Sequence, residues 1–271
     1  MDLKLYCIRP HEDHSHTHTV IFLHGRNSIA TKFNEELLDC QNSQGRHLQD
    51  IFPSVRWVFA QADEQYSESI GCEVHQWFEA PDPRDLHGKS GLQVAGLRHS
   101  AAKLIQLLKN EANTVRGLHR VVLAGYCSGF VAAVHSLLSL AVDPDSNQWP
   151  DSENRLGGLI GLSSWMAFLA PSVAECRATL GLRTHASPSA TKDDIYSSTP
   201  VLLYHSVNDD VVPVEQGRKL RDTLTSYGMD VMYRECEKGG HWVLHGRAEV
   251  DEMVKFLKAQ GLPEYIHLPE E

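Results

Sequence analysis

The 271-residue sequence predicts an α/β fold in which a mostly parallel central sheet is covered by helices on both faces. Three observations carry this expectation: seven short apolar runs of strand length, stripes of apolar residues at helical spacing between several of them, and turn-forming residues at the junctions. The strand candidates are Leu3–Ile8, Val20–Leu23, Val55–Phe59, Val121–Ala124, Leu159–Leu162, Val201–Tyr204 and Val231–Arg234.

The helical stripes follow in chain order. Val94, Leu97, Ala101, Leu104, Ile105 and Leu108 recur every three or four residues, which puts them on one face of a helix. Phe130, Val131, Val134, Leu137, Leu138 and Ala141 form a second stripe, directly after the fourth strand candidate. Leu220, Leu224 and Tyr227 mark a third that Gly228 stops, and Val250, Met253, Val254 and Leu257 a fourth. Residues 143–155, rich in Asp, Asn, Ser and Pro, read as a solvated loop. Residues 171–199 lack clear periodicity and are expected to cover the site, with a short lid or acyl groove within 165–199. A chain of this length can bury a full core, so one domain over residues 1–271 accounts for it.

The chemistry starts at Gly125-Tyr126-Cys127-Ser128-Gly129, between a strand candidate and a helix candidate. This is the G-x-S-x-G pattern of a nucleophile elbow with cysteine at the central position. The flanking glycines suit a sharp corner where side chains would collide with neighbouring backbone. A nucleophile needs a base and a group to orient that base, and both have candidates downstream. Asp209 and Asp210 follow the strand ending at His205, and His241 follows the strand candidate Val231–Arg234, on a loop loosened by Gly239 and Gly240. Nucleophile, acid, base is the chain order of the α/β-hydrolase fold. An oxyanion site in that fold uses the N–H after the nucleophile, here Ser128, and an N–H from the loop after an early strand. Thr19 to Arg26 reads as a buried strand ending in His24-Gly25, which assigns the second donor to the N–H of Arg26.

With these residues in place the chain resembles the phospholipase/carboxylesterase family of α/β-hydrolases, which includes the acyl-protein thioesterases. Val20 to Gly25 is similar to that family's first core strand and oxyanion loop. Trp77-Phe78-Glu79 is similar to its Trp-Phe-acid signature, with Glu in place of the usual Asp. Leu159 to Ser163 resembles its strand ending in Leu-Ser, and Asp209 to Pro213 its D-x-x-V-P run. The resemblance implies Asp209, rather than Asp210, as the acid of the triad and His241 as the base. The chain departs from the family at Cys127-Ser128-Gly129-Phe130, where the family has a serine followed by Gln-Gly-Gly. Gly-Tyr-Cys is closer to the elbow of dienelactone hydrolases, which use cysteine.

Sulfur changes the chemistry expected of such a site. A thiol at a helix N-terminus and beside a histidine is readily ionised, and the thiolate is the nucleophile. Its attack on a thioester exchanges one thioester for another, whereas attack on an oxoester must expel an alkoxide from a higher-energy intermediate. The leading expectation is therefore a thioesterase-type acyl transferase that loads Cys127 from an acyl thioester, CoA- or carrier-protein-bound, polyketide chains included. The acyl group then leaves to water or to the substrate's own hydroxyl, giving an acid or a lactone. A dienelactone-hydrolase-like or carboxylesterase-type hydrolase of small activated esters is the second expectation. A non-catalytic ligand receptor on a hydrolase fold is the third. Trp77, Phe78, Trp165, Met166, Phe168 and Trp242 are expected to line the acyl groove.

Composition bounds the partners. The formal net charge of −10 argues against nucleic acid or an anionic membrane, both of which need a basic face. The six cysteines are scattered, without the close spacing of a zinc site or a redox pair, and a reduced cytoplasmic setting is expected. Met1 to Pro10 lacks the apolar core of a signal peptide, and no stretch has the length of a membrane span. His11, His14, His16 and His18 could bind a metal in principle, but no defined ligand set is completed around them, so they read as a polar lead-in to the first core strand. No metal or cofactor is expected, and nothing in the sequence specifies an oligomeric state.

Overall fold

The computed structural model describes residues 2–80, 90–140, 154–182, 195–242, 244 and 246–266. Seven strands form one sheet: β1 (Lys4–Ile8), β2 (His18–Leu23), β3 (Val55–Gln61), β6 (Val121–Tyr126), β7 (Gly158–Leu162), β8 (Val201–Ser206) and β9 (Val231–Cys236). Their order across the sheet is β1-β3-β2-β6-β7-β8-β9. Only β1 runs antiparallel, against β3; the other five pairings are parallel. Two short strands, β4 (Glu64–Ser67) and β5 (Cys72–His75), make a separate antiparallel hairpin.

Strand alternation sorts the core onto two faces. Ile21, Leu23, Val121, Leu123, Leu159, Val201 and Leu203 face α3 (Ser90–Val115), α4 (Ser128–Leu140), α5 (Val173–Thr179) and α6 (Val214–Ser226). Val20, Phe22, Val122, Ala124, Ile160, Leu202 and Tyr204 face α1 (Ala30–Leu38), α2 (Leu48–Ile51) and α7 (Arg247–Ala259). A central parallel sheet buried on both sides explains why these strands read as continuous apolar runs rather than alternating ones.

All seven strand candidates correspond to strands of the sheet, most of them longer than the apolar run by one or two residues. The hairpin β4–β5 and helix α1 have no counterpart among the sequence expectations. Helix α1 carries a narrow stripe of Ala30, Phe33 and Leu37 interrupted by buried Asn34, and no side chain caps its start at Ile29. Its fold comes from docking on the sheet, not from local signals. The hairpin is held from outside its own sequence: Glu79 accepts from Ser67 Oγ at 3.0 Å, Ser69 Oγ at 2.8 Å, the Ser69 N–H at 3.3 Å and the Glu68 N–H at 3.3 Å. The loop expected over 143–155 lies outside the described residues except for its last two positions.

Helix α4 is buried along its whole length. Its polar side chains therefore bond to the helix itself: His135 Nδ1–H to the Val131 carbonyl at 2.8 Å, Ser136 to Ala132 at 2.6 Å and Ser139 to His135 at 2.6 Å. A helix with no solvent face has little freedom to shift, and it is the one that follows Cys127.

Candidate active site

The corner between β6 and α4 places Cys127 at φ +54°, in the left-handed region. Such a conformation costs a non-glycine residue of order 1–3 kcal/mol. Burying each of Phe130, Val131, Val134, Leu137 and Leu138 contributes about 1.5–3 kcal/mol, so the packing of α4 outweighs the strain. The corner is also tied by hydrogen bonds, from the Cys127 N–H to the Leu162 carbonyl at 2.8 Å and from Ser164 Oγ to the Cys127 carbonyl at 2.7 Å. The glycines have a steric reason. A Cβ on Gly125 would lie 2.4 Å from the Phe130 nitrogen, and one on Gly129 2.4 Å from the Leu23 carbonyl oxygen.

Asp209 sits past the end of β8 with its side chain fully buried. Its Oδ1 accepts from the N–H groups of Val211 at 2.9 Å and Val212 at 2.8 Å, leaving Oδ2 to accept from His241 Nδ1–H at 2.8 Å. Buried His205 approaches the same Oδ2 to 3.4 Å while its Nε2–H donates to the Val212 carbonyl at 2.8 Å. Asp210 is exposed, so the structure brings Asp209 and not its neighbour to the histidine. The imidazole of His241 lines the same cup as the Cys127 side chain. Because Nδ1 is engaged by the carboxylate, Nε2 is the ring nitrogen left to face another partner.

The electrostatics follow from this chain of contacts. Burial pulls the His241 imidazole down, but the bond to Asp209 and the neighbouring Cys127 outweigh it and carry it from 6.5 up to about 9. Burial pushes the Asp209 carboxyl up, and the bonds from His205 and His241 outweigh that, holding it well below the usual carboxylate range. A raised histidine stabilises the folded state fully below its unfolded value of 6.5, and this contribution is lost as pH rises through about 9. A depressed carboxylate contributes above its unfolded value of 3.8 and is lost on acidification. Denaturant midpoints measured against pH are thus expected to fall on both sides of a broad neutral plateau. In His241→Ala the fall between pH 6.5 and about 9 is expected to flatten; an unaltered alkaline limb would assign it to other groups.

The loop after β2 brings Arg26 to a cup of about 190 Å³ that also holds Cys127, Ser128 and His241. Both N–H groups expected to form the oxyanion site therefore belong to residues lining one cup. Two residues position this loop. His24 is fully buried; its Nδ1–H donates to the Gly25 carbonyl at 2.7 Å and its Nε2 accepts from the Ala62 N–H at 3.0 Å. Burial pulls this imidazole down to about 4, which keeps it in the neutral form that makes both bonds. Trp77 donates its indole N–H to the His24 carbonyl at 2.8 Å. The Arg26 guanidinium turns away, to the Ala80 carbonyl at 3.0 Å and Ser69 Oγ at 3.3 Å.

The expectation of an acyl groove needs correction for four of its six residues. Trp77 is a support beneath the oxyanion loop, and Phe78, fully buried, packs edge-on against Trp165 at 6.4 Å. Met166 is core, and Phe168 packs on His135 of α4 at 5.4 Å. The physical reason is that the apolar run after Ser163 folds down onto α4 instead of standing at the rim. Trp165 does line the cup, with Ala80 and Val211. Trp242 lines a different, larger cleft. Of the segment 165–199 expected to supply a lid or groove, residues 171–182 carry α5, whose Val173, Cys176 and Arg177 are buried, and residues 183–194 lie outside the described set.

Trp77→Phe keeps an aromatic ring, though a smaller one, and removes the donor, so it is expected to lower kcat about tenfold with little change in KM, as a loosened loop after β2 would. Steady-state kinetics on one substrate separate this from a binding role, which would appear as a raised KM.

The four lead-in histidines have separate surroundings: His16 pairs with Thr19, His18 with Thr17, and His14 lies edge-on to Tyr265 and, at a greater distance, to His11. Among the described residues no group of three or more His, Cys, Asp or Glu side chains is placed to hold a metal ion. Among them, too, no helix is long and apolar enough to cross a membrane.

Comparison with known proteins gives one consistent picture. The phospholipase/carboxylesterase family model matches residues 8–260. Acyl-protein thioesterase 1 of Gibberella zeae is 26% identical over 254 residues, covering 92% of each chain. Its counterpart in Yarrowia lipolytica is 22% identical over 211 residues, covering 78% of this chain and 77% of that one. Among solved structures, acyl-protein thioesterase 2 of Zea mays superposes with a TM-score of 0.67 at 22% identity, over 95% of this chain and 98% of its own.

Proposed function

The chain belongs to the phospholipase/carboxylesterase family and is an enzyme of the α/β-hydrolase type, and from that premise we propose that it is a thioesterase working through Cys127, His241 and Asp209. The observation that supports this is the bond from the buried Asp209 carboxylate to His241, which lines one cup with Cys127 on the strained elbow. In the forward step the Cys127 sulfur attacks the acyl carbon and the carbonyl oxygen gathers negative charge between the N–H groups of Arg26 and Ser128. Collapse breaks the bond to the leaving sulfur, which takes the proton from His241 Nε2.

The imidazole, now neutral, then draws a proton from water or from a hydroxyl on the acyl chain itself. Attack by that oxygen releases an acid or a lactone and restores the thiol. Asp209 holds Nδ1–H throughout, which fixes the tautomer and offsets the charge that develops on the ring. The donor is an acyl thioester, carried by CoA or a carrier protein, because sulfur-to-sulfur exchange costs little while expulsion of an alkoxide by a thiolate costs much.

Intact-mass measurement of enzyme quenched during turnover of an acyl thioester tests the proposal. An adduct of one acyl group on the Cys127 peptide is expected. Turnover without any such adduct, or faster turnover of enol lactones and oxoesters than of thioesters, would favour the small-ester hydrolase instead.

A further inference from the structure

Beside the cup a second cavity opens, a cleft of about 710 Å³. It shares Gly25, Arg26 and Tyr126 with the cup around Cys127, so the two spaces adjoin across these residues. Its floor is aromatic. Tyr126 lies 5.2 Å from Trp242 and Phe33 5.9 Å from Trp242, both edge-on, and Tyr126 reaches the His241 ring at 4.9 Å. Beyond the rings the wall carries Asn27, Ser28 and Gln41, and Ser28 Oγ is buried without a hydrogen-bond partner. At the rim stand the exposed cations Lys32 and Arg247.

The chemistry of the step assigns the two spaces. A departing sulfur must take its proton from His241, so the leaving group lies on the side of the imidazole. His241 itself lines the cup, but its ring lies 4.9 Å from that of Tyr126, which lines both spaces, and Trp242, Leu244 and Arg247, which follow it in the chain, line the cleft alone, whereas Ala80, Trp165 and Val211 line the cup alone. The acyl group therefore belongs with Trp165 and the thiol with Trp242.

We propose that this cleft is the leaving-group site and is built for a phosphopantetheine-type thiol arm, with Phe33, Tyr126 and Trp242 beneath the arm and Lys32 and Arg247 at its phosphate. This rests on the reading that Cys127 takes its acyl group from a thioester. Such an arm is apolar and amide-bearing near the sulfur and anionic at the far end, and aromatic, amide-bonding and cationic residues all line the cleft. The volume lies within the range that encloses a ligand of this size. Charge favours it over a polypeptide thiol: the chain is −10 overall, yet in the lining Lys32 and Arg247 balance Glu36 and Asp39. A single arm also needs one channel from the sulfur, while a cysteine within a polypeptide leaves two chain ends to house. In the step itself the bond from Cys127 sulfur to the acyl carbon forms, the bond from that carbon to the arm sulfur breaks, and the His241 proton goes to the arm sulfur.

The test compares kcat/KM for one acyl group on three thiols, N-acetylcysteamine, phosphopantetheine and a cysteinyl peptide, in the wild type and in Lys32→Ala/Arg247→Ala. The phosphopantetheine thioester is expected to be favoured over the N-acetylcysteamine thioester by about tenfold or more in the wild type, a ratio that falls to about twofold or less in the double variant. Equal use of the two by the wild type, a ratio that survives the double substitution, or preference for the cysteinyl peptide would each overturn it. Failure of the underlying thioesterase reading looks different, because none of the three thioesters would then acylate Cys127.

Discussion

Cys127→Ala is expected to lower thioester turnover by about 10⁴-fold or more, leaving only the residual rate that substrate positioning and the oxyanion donors supply. The substitution removes a single atom beyond Cβ from a side chain that is 8% exposed, on a corner whose backbone is fixed by Leu162 and Ser164. The fold should therefore survive, and a lost rate reports lost chemistry. Cys127→Ser separates the roles further. It restores a nucleophile of similar shape but one that depends on His241 to remove its proton, and it forms an oxoester intermediate. Its preference is expected to move toward oxoesters by about an order of magnitude relative to the wild type. Paired kinetics on a thioester and an oxoester of the same acyl group measure both effects. Full thioester turnover in the alanine variant would dismiss the mechanism.

Gly129→Ala is expected to destabilise the protein by more than about 3 kcal/mol, at the upper end for a one-carbon change, because the added atom meets backbone and not a side chain able to move aside. Its Cβ would lie 2.4 Å from the Leu23 carbonyl oxygen and 2.6 Å from that of His24. The strain falls on the strand end that presents the oxyanion loop, and on the same His24 carbonyl that Trp77 holds. Whatever folds should thus also be catalytically impaired. Gly91→Ala, where a Cβ would meet nothing within 4 Å, serves as the control, and urea unfolding of the two variants gives the comparison. Equal midpoints would show that the elbow has room the distances deny.

Both results trace to features that differ in how far local sequence reveals them. The apolar runs of β2, β6, β7 and β8 announce buried parallel strands, since burial on both faces leaves no polar position to blur the pattern. The elbow, the acid after β8 and the histidine after β9 were legible for a related reason. Each follows a strong strand, and parallel strands end at one edge of a sheet, so residues far apart in sequence are delivered to one rim. Helix α1 was hidden by its interrupted stripe, and the β4–β5 hairpin by its dependence on Glu79, whose acceptors work across the turn and not along the strands.

The aromatic residues divide in the same way. Composition marks Trp77, Phe78, Met166 and Phe168 as apolar without saying whether they pack inward or line a groove, and packing on α3 and α4 took all four inward. Trp77 became a hydrogen-bond donor to the oxyanion loop, a role that needs the His24 carbonyl beside it and so has no signature of its own. His24 and His205 acquired positioning roles likewise, through partners that only chain folding supplies.

Local sequence was enough for the buried strands of a mostly parallel sheet and for the three candidate groups that follow β6, β8 and β9, because hydrophobic periodicity and turn chemistry are local properties. Folding of distant segments together set which ring lines the cup, which carbonyl Trp77 holds in the loop after β2, and where the larger cleft opens. Those depend on contacts between distant segments, and side-chain direction is settled only when the neighbouring helices have packed.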